Sequence, residues 1–105
     1  MATAALVSFT PFRTSAYWPG PGNARVRENF ATLPAVTTNA AIDNEIALVC
    51  NNSTTAAIAC AIGTAPDATA LVATASTSAG FAIGPGEVAK ISVRTGEKIS
   101  LAALP

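Results

Sequence analysis

The chain has 105 residues, of which 50% are hydrophobic and 11% are charged, and its formal net charge at pH 7 is +0. This length predicts one domain, and the sparse charge excludes nucleic-acid binding as the main function, because such binding normally needs a dense basic patch. Since the sequence contains no histidine, Ser–His and Cys–His nucleophilic systems are excluded, together with the commonest zinc ligand.

Residues 1–30 differ in composition from the rest of the chain. They hold five of the six aromatic residues, and Pro11 and the run Trp18–Gly22 interrupt any regular element. We therefore predict an extended N-terminal arm over 1–30 and a β-sandwich domain over 31–105. The candidate partner-binding residues of the arm are its rings and arginines: Phe9, Phe12, Arg13, Tyr17, Trp18, Arg25 and Arg27.

Two interpretations of this arm satisfy the same burial argument. Its rings either anchor it to another subunit or fold back over the core of the chain's own sandwich. That core is expected to be thin, because much of the apolar content is alanine. A small, weakly charged domain of this kind is expected to bury further surface against partners, so we favour assembly over an isolated monomer.

The region after the arm is predicted to form short strands separated by turns. Phe30–Val36 is expected to be an edge strand, because Pro34 has no amide donor. Three more strands are predicted before residue 80: Glu45–Cys50, covered on both faces, then Thr55–Ile62 and the weaker Ala68–Ala73. This spacing predicts an all-β fold, a small antiparallel β-sandwich or jelly-roll-like barrel carrying the extended N-terminal arm.

The main alternative for the middle of the chain is helical. Alanine favours helix, and both Ala56–Ala61 and Ala68–Ala75 are rich in alanine. The interspersed threonine and isoleucine, the short length of each stretch and the flanking breakers favour strands instead.

The stretch 81–104 alternates apolar and polar residues on both sides of Thr95-Gly96, which predicts two half-buried strands. A two-residue turn would mix their faces. A three-residue turn over 94–96 places Ile91 opposite Ile99 and puts Gly96 at a left-handed position, and we prefer it. Upstream, Gly84, Pro85 and Gly86 are predicted to form a turn, because proline presets φ and glycine accepts a positive φ.

The two cysteines are predicted to be free, buried thiols. If Ile46–Cys50 and Thr55–Ile62 form a hairpin around Asn51–Thr54, the sulfurs of Cys50 and Cys60 lie ~13 Å or more apart along the ladder. A disulfide needs Cα atoms within about 7 Å. Free thiols fit assembly in a reducing cytoplasm.

No pattern in the sequence predicts a catalytic, cofactor-binding or metal-binding site. Glu45, Glu87 and Glu97 are far apart and are expected to be solvated charges at strand ends. The glycines around Pro85 lack the strand–loop–helix context of a phosphate-binding loop. No stretch is long and apolar enough to span a membrane. We therefore expect no enzyme and no cofactor, with only a sparse site between subunits left open.

Four segments of turn and strand-end residues carry a resemblance to known proteins: Asn51–Thr54, Ala61–Pro66, Gly84–Glu87 and Val93–Ala103. Through them, the chain from about Ile46 to Leu104 resembles small bacteriophage virion proteins of the capsid decoration, cement or head-fibre kind. Because the resemblance lies in turn and strand chemistry, no functional residue is transferred by it. It implies a non-enzymatic β-sandwich present in many copies on a virion.

This resemblance leads to one expected function and two alternatives. The protein is expected to decorate or cement a capsid, to bind the major capsid protein, copies of itself or both, and to lie on the virion surface after assembly in the host cytoplasm. It is expected to be a homo-oligomer with no nucleic-acid or membrane partner. The alternatives are a head-fibre or tail module that binds a receptor or glycan, and a head–tail connector or tail component.

Overall fold

Two four-stranded antiparallel sheets pack face to face in the computed structural model, which describes residues 4–11, 24–69 and 80–104. Sheet 1 has the order β2-β1-β4-β7 and sheet 2 the order β3-β8-β5-β6. The predicted antiparallel β-sandwich is confirmed, and the sheets do not close into a barrel. The strands are β1 (Ala5–Pro11), β2 (Val26–Phe30), β3 (Ala35–Val36), β4 (Glu45–Asn51), β5 (Ile58–Gly63), β6 (Gly80–Ile83), β7 (Val88–Ser92) and β8 (Lys98–Ala103).

The core lies between the sheets and is built from alternate residues of each strand. Sheet 1 contributes Val7, Phe9 and Val49, and sheet 2 contributes Ile99 and Leu101, all of them at most 1% exposed. Alternation follows from the pleat, which directs successive side chains to opposite faces. Phe9 is the largest fully buried side chain among the described residues, and the half-buried Phe30 packs against the same core.

The N-terminal segment is part of the sandwich, so the predicted boundary between an arm over 1–30 and a domain over 31–105 is wrong. Strand β1 lies in the middle of sheet 1, with Ala5 paired to Phe30 on one side and to Asn51 on the other. Its alternating residues Ala5, Val7 and Phe9 face the core. Pro11 does not interrupt the strand, because it is the last residue, where the lost donor costs least.

Strands β4 and β5 lie in different sheets, and so do β7 and β8, so the two predicted hairpins are wrong. Strand β4 pairs with β1 and β7, whereas β5 pairs with β6 and β8. Strands β7 and β8 also lie in different sheets, and Ile91 and Ile99 reach the shared core from opposite sides. Alternation fixes which face of a strand is buried but not which strand lies beside it, because any partner with the same pattern satisfies it.

The predicted strands of the middle region are confirmed in part. Glu45–Cys50 corresponds to β4, and Thr55–Ile62 to β5, which begins three residues later than predicted. The predicted edge strand over Phe30–Val36 is instead the end of β2 followed by the two-residue β3 at the edge of sheet 2.

The predicted strand Ala68–Ala73 is wrong at the residues that the structure describes. Ala68 and Thr69 are helical, and the Asp67 carboxylate accepts the Thr69 N–H at 3.0 Å, as an N-cap residue does. Ala68 packs on the outer face of sheet 2 against Ala59 and Ala102. Residues 70–73 lie outside the described residues.

Both cysteines are free thiols, as predicted. They do not lie along one hairpin, because Cys50 is on β4 in sheet 1 and Cys60 is on β5 in sheet 2. Cys60 faces the core from sheet 2 and is 0% exposed, whereas Cys50 is half-buried in sheet 1. The Cys50 Sγ lies 3.1 Å from the Asn52 Oδ1. Burial raises the pKa of the Cys60 thiol to about 12, so this thiol stays protonated and acts as a small apolar side chain.

Candidate interaction surfaces

Residues 37–44, which we call the closing segment, connect β3 to β4. They run across the end of the sandwich where β4 begins, which we call the lower end. Thr37 pairs with Ile99, donating its N–H at 2.9 Å and accepting the Ile99 N–H on its hydroxyl at 3.1 Å. Ala41 bonds to the turn before β8 through the Glu97 carbonyl and the Gly96 N–H, both at 2.8 Å. The segment is therefore tied to sheet 2 at two points.

The Glu28 carboxylate ties the closing segment to sheet 1. It accepts the Thr38 N–H at 2.8 Å, the Asn39 N–H at 2.9 Å and the Asn39 Nδ2 at 3.1 Å. Burial by itself would raise the pKa of Glu28, but the hydrogen bonds from Asn39 and Thr38 outweigh it and the pKa is lowered. Glu28 is therefore held as a carboxylate that orders the segment.

Arg25 and Glu45 form a second connection at the same end. The Arg25 Nε and Nη2 donate to the two Glu45 oxygens at 2.8 and 3.0 Å, and Nη2 also donates to the Ala40 carbonyl at 2.9 Å. Glu45 is 5% exposed and accepts the Ile42 N–H at 2.9 Å. Burial would raise the pKa of Glu45, but the bonds from Arg25 and Ile42 and the Arg25 charge lower it.

This geometry gives three residues an internal role that the sequence does not predict. Phe9 is a core residue, so it is not the partner anchor that the sequence predicts. Arg25, another predicted anchor, bonds within its own chain. Glu45 is not a solvated strand-end charge, because it opens a strand that is covered on both faces and needs a partner there. The near-continuous apolar run after Glu45 is the signal that indicates its burial.

Of the five remaining predicted anchors, one lies in the part of the chain that the structure describes. Arg27 lies exposed on β2, where a partner can reach it. The other four, Phe12, Arg13, Tyr17 and Trp18, lie outside the described residues.

The predicted turn at Gly84–Gly86 joins β6 to β7 between the two sheets. The Glu87 N–H donates to the Gly84 carbonyl at 3.1 Å, and Gly86 has a φ of 72°. Asn51 bonds to both of the residues that end the turn, through the Gly86 N–H at 3.0 Å and the Glu87 carbonyl at 2.9 Å. Gly86 and Glu87 therefore lie opposite the single residue Asn51, and the first of the two is a left-handed glycine. This arrangement is a β-bulge of the G1 type.

The same arrangement recurs between β7 and β8. Gly96 has a φ of 89°, as the sequence predicts, and the Glu97 N–H donates to the Arg94 carbonyl at 3.0 Å. Ala41 takes the place that Asn51 has in the first turn. The predicted residues Gly84, Pro85, Gly86 and Gly96 are therefore structural, because they turn the chain from one sheet to the other at both ends of β7.

Asn51 is the central buried polar residue at the opposite end of the sandwich, where β4 ends, which we call the upper end. The sequence predicts only that Asn51 belongs to a polar turn. Its side chain is 0% exposed. The Nδ2 donates to the carbonyls of Ala56, Ile83 and Gly84 at 2.9, 3.1 and 3.1 Å, and the Oδ1 accepts the Ser53 N–H at 3.0 Å. Asn51 therefore joins the β4–β5 connection to the β6–β7 turn.

An apolar groove of about 340 Å³, which we call the upper groove, opens beside Asn51. Thr32 and Ser53 are part of its lining. The apolar lining comes from several chain segments and is mostly alanine: Ala4, Ala31, Leu33, Ala56, Ala57, Ile58 and Ala103. Small side chains leave the space open, and this volume lies at the lower end of the ~300–1,000 Å³ typical of ligand pockets.

Three large aliphatic side chains of the described residues are exposed, and they lie on different sides of the sandwich. Val88 on β7 is 58% exposed and Val36 on β3 is 47% exposed, and these strands are edges on opposite sides of their sheets. Ile42 in the closing segment is 48% exposed. Single exposed valines are ordinary, but their placement gives the sandwich apolar contact points on more than one side.

Within residues 4–11, 24–69 and 80–104, no three His, Cys, Asp or Glu side chains come together as a metal site, and no helix has the length and apolar character needed to cross a membrane. Comparison of the chain with models of protein families, with curated proteins and with solved structures finds no match.

Proposed function

We propose that this protein is a non-enzymatic capsid decoration or cement protein of a bacteriophage, binding the shell of the major capsid protein in many copies. The observation that supports this function best is the placement of Val88 and Val36 on opposite edges of a sandwich whose ends are fastened by hydrogen bonds. A protein that bridges neighbouring capsomers must contact both of them, and it must transmit force between the two contacts.

The fastened ends suit this mechanical role. Asn51 and the first glycine turn close the upper end, while Glu28 and the Arg25–Glu45 pair hold the closing segment at the lower end. A load applied between the two edges therefore acts on two hydrogen-bonded sheets rather than on free loops. Many weak contacts repeated over a shell add up to a stable coat by avidity.

The magnitude of each contact follows from its exposed area. Full burial of a valine contributes about 1.5–3 kcal/mol, and Val88 and Val36 have roughly half of their surface left to bury. Each is therefore expected to contribute about 1 kcal/mol, or roughly fivefold in affinity for the shell.

Binding to bare shells tests the proposal. Val36→Ser and Val88→Ser are each expected to lower the affinity, and the double variant is expected to lower it by the product of the two effects. Thr64→Ser, at another exposed position, is the matched control. Circular dichroism shows whether each variant is folded. A folded double variant that binds bare shells as well as the wild type would exclude this bridging mechanism.

Counting copies in purified particles separates the proposal from its alternatives. Quantitative mass spectrometry is expected to give roughly several hundred copies per particle for a coat of a symmetric shell, whereas about six or twelve copies would indicate a connector or tail component. A glycan array with clear hits at low copy number would instead indicate a receptor-binding module.

A further inference from the structure

The upper groove and the aromatic part of the chain are attached to opposite ends of the sandwich. The groove lies where β1 begins, β4 ends and β8 ends, and Ala4, Asn51 and Ala103 line it. Residues 12–23 instead connect to the lower end, because Pro11 pairs with Glu45 there. At the other end of this connection, the Arg25 N–H donates to the Phe9 carbonyl at 2.8 Å.

The length of residues 12–23 limits where their aromatic side chains can go. Tyr17 and Trp18 are the middle residues of this connection. Six residues from either end span at most about 20 Å when fully extended. The run along β1 from Pro11 to Ala5 takes about 20 Å as well. The groove of the same molecule is therefore at the limit of reach, whereas a groove on a neighbouring molecule is not subject to this limit.

The chemistry of the upper groove suits an aromatic side chain with a polar edge. Its alanine lining offers apolar surface without filling the space, and the hydroxyl-bearing residues Thr32 and Ser53 are also part of the lining. Tryptophan and tyrosine combine a large apolar body with one hydrogen-bonding group, and they are the residue types that most often dominate an interface.

We propose that the upper groove binds the Tyr17-Trp18 pair of a second copy of this chain. The contact is heterologous, because the surfaces that meet are different parts of the two molecules. Repetition of such a contact gives a ring if the rotation closes and a filament if it does not. This self-association does not depend on binding to a shell, and its test uses the isolated protein.

The single tryptophan of the chain is a direct reporter for this contact. Sedimentation velocity and Trp18 emission are measured together over a range of protein concentrations. Wild-type protein is expected to associate as concentration rises, with a blue shift of the emission over the same range. Trp18→Ala is expected to weaken association by at least about tenfold, since truncation of a central interface tryptophan removes a dominant contact.

Groove-filling variants test the other half of the contact. Ala57→Leu narrows the groove from a half-buried position, and Ala31→Leu narrows it from the exposed rim, where folding is less at risk. Each is expected to weaken association about tenfold and to keep the Trp18 emission red-shifted. Ala65→Leu, exposed and outside the groove lining, is the control and is expected to behave as the wild type.

A mixing experiment identifies the contact as heterologous. Trp18→Ala retains an open groove and Ala57→Leu retains the tryptophan. At a concentration where the wild type associates but each weakened variant alone is mainly monomeric, the mixture is therefore expected to form a one-to-one dimer. The proposal is overturned if the folded variants fail to pair on mixing, or if Trp18→Ala associates like the wild type. It is equally overturned if the wild type stays monomeric, or if Trp18 emission is already blue-shifted in the monomer and Ala57→Leu reverses that shift.

Discussion

Replacement of Asn51 by alanine tests whether the upper end is held by one buried side chain. The Asn51 Nδ2 serves three carbonyls with two hydrogens, and the Oδ1 accepts one further N–H, so the variant loses about three hydrogen bonds at a site that is 0% exposed. At about 1 kcal/mol per bond, the expected loss in the free energy of unfolding is about 3 kcal/mol.

The main-chain bonds of Asn51 to the first glycine turn do not involve its side chain and are expected to survive. The loss should therefore appear as a lower denaturation midpoint with an unchanged m-value, measured by urea titration with circular dichroism. In a thermal scan the same loss lowers Tm by roughly 10–20 °C for a domain of this size.

The neighbouring Asn52 provides a matched control. It is exposed, and its side chain accepts only from the Cys50 thiol among the described residues. Asn52→Ala is expected to change the free energy of unfolding by less than about 0.5 kcal/mol. If Asn51→Ala and Asn52→Ala were equally stable, the assignment of Asn51 as the polar centre of the upper end would be refuted.

Three further predictions concern pH, backbone conformation and thiol reactivity. The pKa values of Glu28 and Glu45 are lowered from the ordinary 4.5. Their contribution to the free energy of unfolding is therefore present above about pH 4.5 and is lost as the pH falls through the lowered pKa values. Urea midpoints measured from pH 7 to pH 2 test this loss. Gly96→Ala is expected to cost about 1–2 kcal/mol, because a Cβ is unfavourable at a φ of 89°, and urea titration measures the loss. A thiol reagent such as DTNB is expected to modify Cys50 in the native protein and Cys60 only after denaturant is added, since Cys60 is buried and its pKa is raised to about 12.

Each of these three predictions has a control. Glu28→Gln should make the decrease in urea midpoint at acid pH less steep. If the decrease is as steep as in the wild type, other carboxyl groups cause the loss of stability. Gly84→Ala is expected to cost less than Gly96→Ala, because the added Cβ meets only the flexible end of the Glu87 side chain; equal costs would contradict the backbone argument. Modification of both thiols at the same rate in the native protein would contradict the burial of Cys60.

The features of the fold that the sequence predicts correctly are local. The run from Ile46 to Cys50 is apolar throughout, and its strand is covered on both faces. Proline and glycine at 84–86 and glycine at 96 determine the backbone of the turns without help from distant residues. Both signals act within a few residues, so one sequence is sufficient to recognise them.

The features that it does not predict depend on distant pairing. Strand β7 pairs with β4, about forty residues away, and nothing in the alternation of β7 distinguishes β4 from β8 as a partner. The partner of the buried Glu45 is Arg25, which approaches it only because β1 lies beside β4 and β2 lies beside β1. The small side chains of the upper groove come together from separate segments, so no stretch of sequence indicates the groove.

The position of β8 between β3 and β5 has a consequence for synthesis. Strand β3 cannot join sheet 2 until residues 98–103 have left the ribosome. Strand β7, which completes sheet 1, is synthesised only shortly before them. Until then the inward faces of β1 and β4 are exposed on the nascent chain. Because pairing of strands distant in sequence is slow, we expect folding to begin only after translation of β8. Chaperone binding to the newly made chain should then persist until β8 has left the ribosome and decrease afterwards.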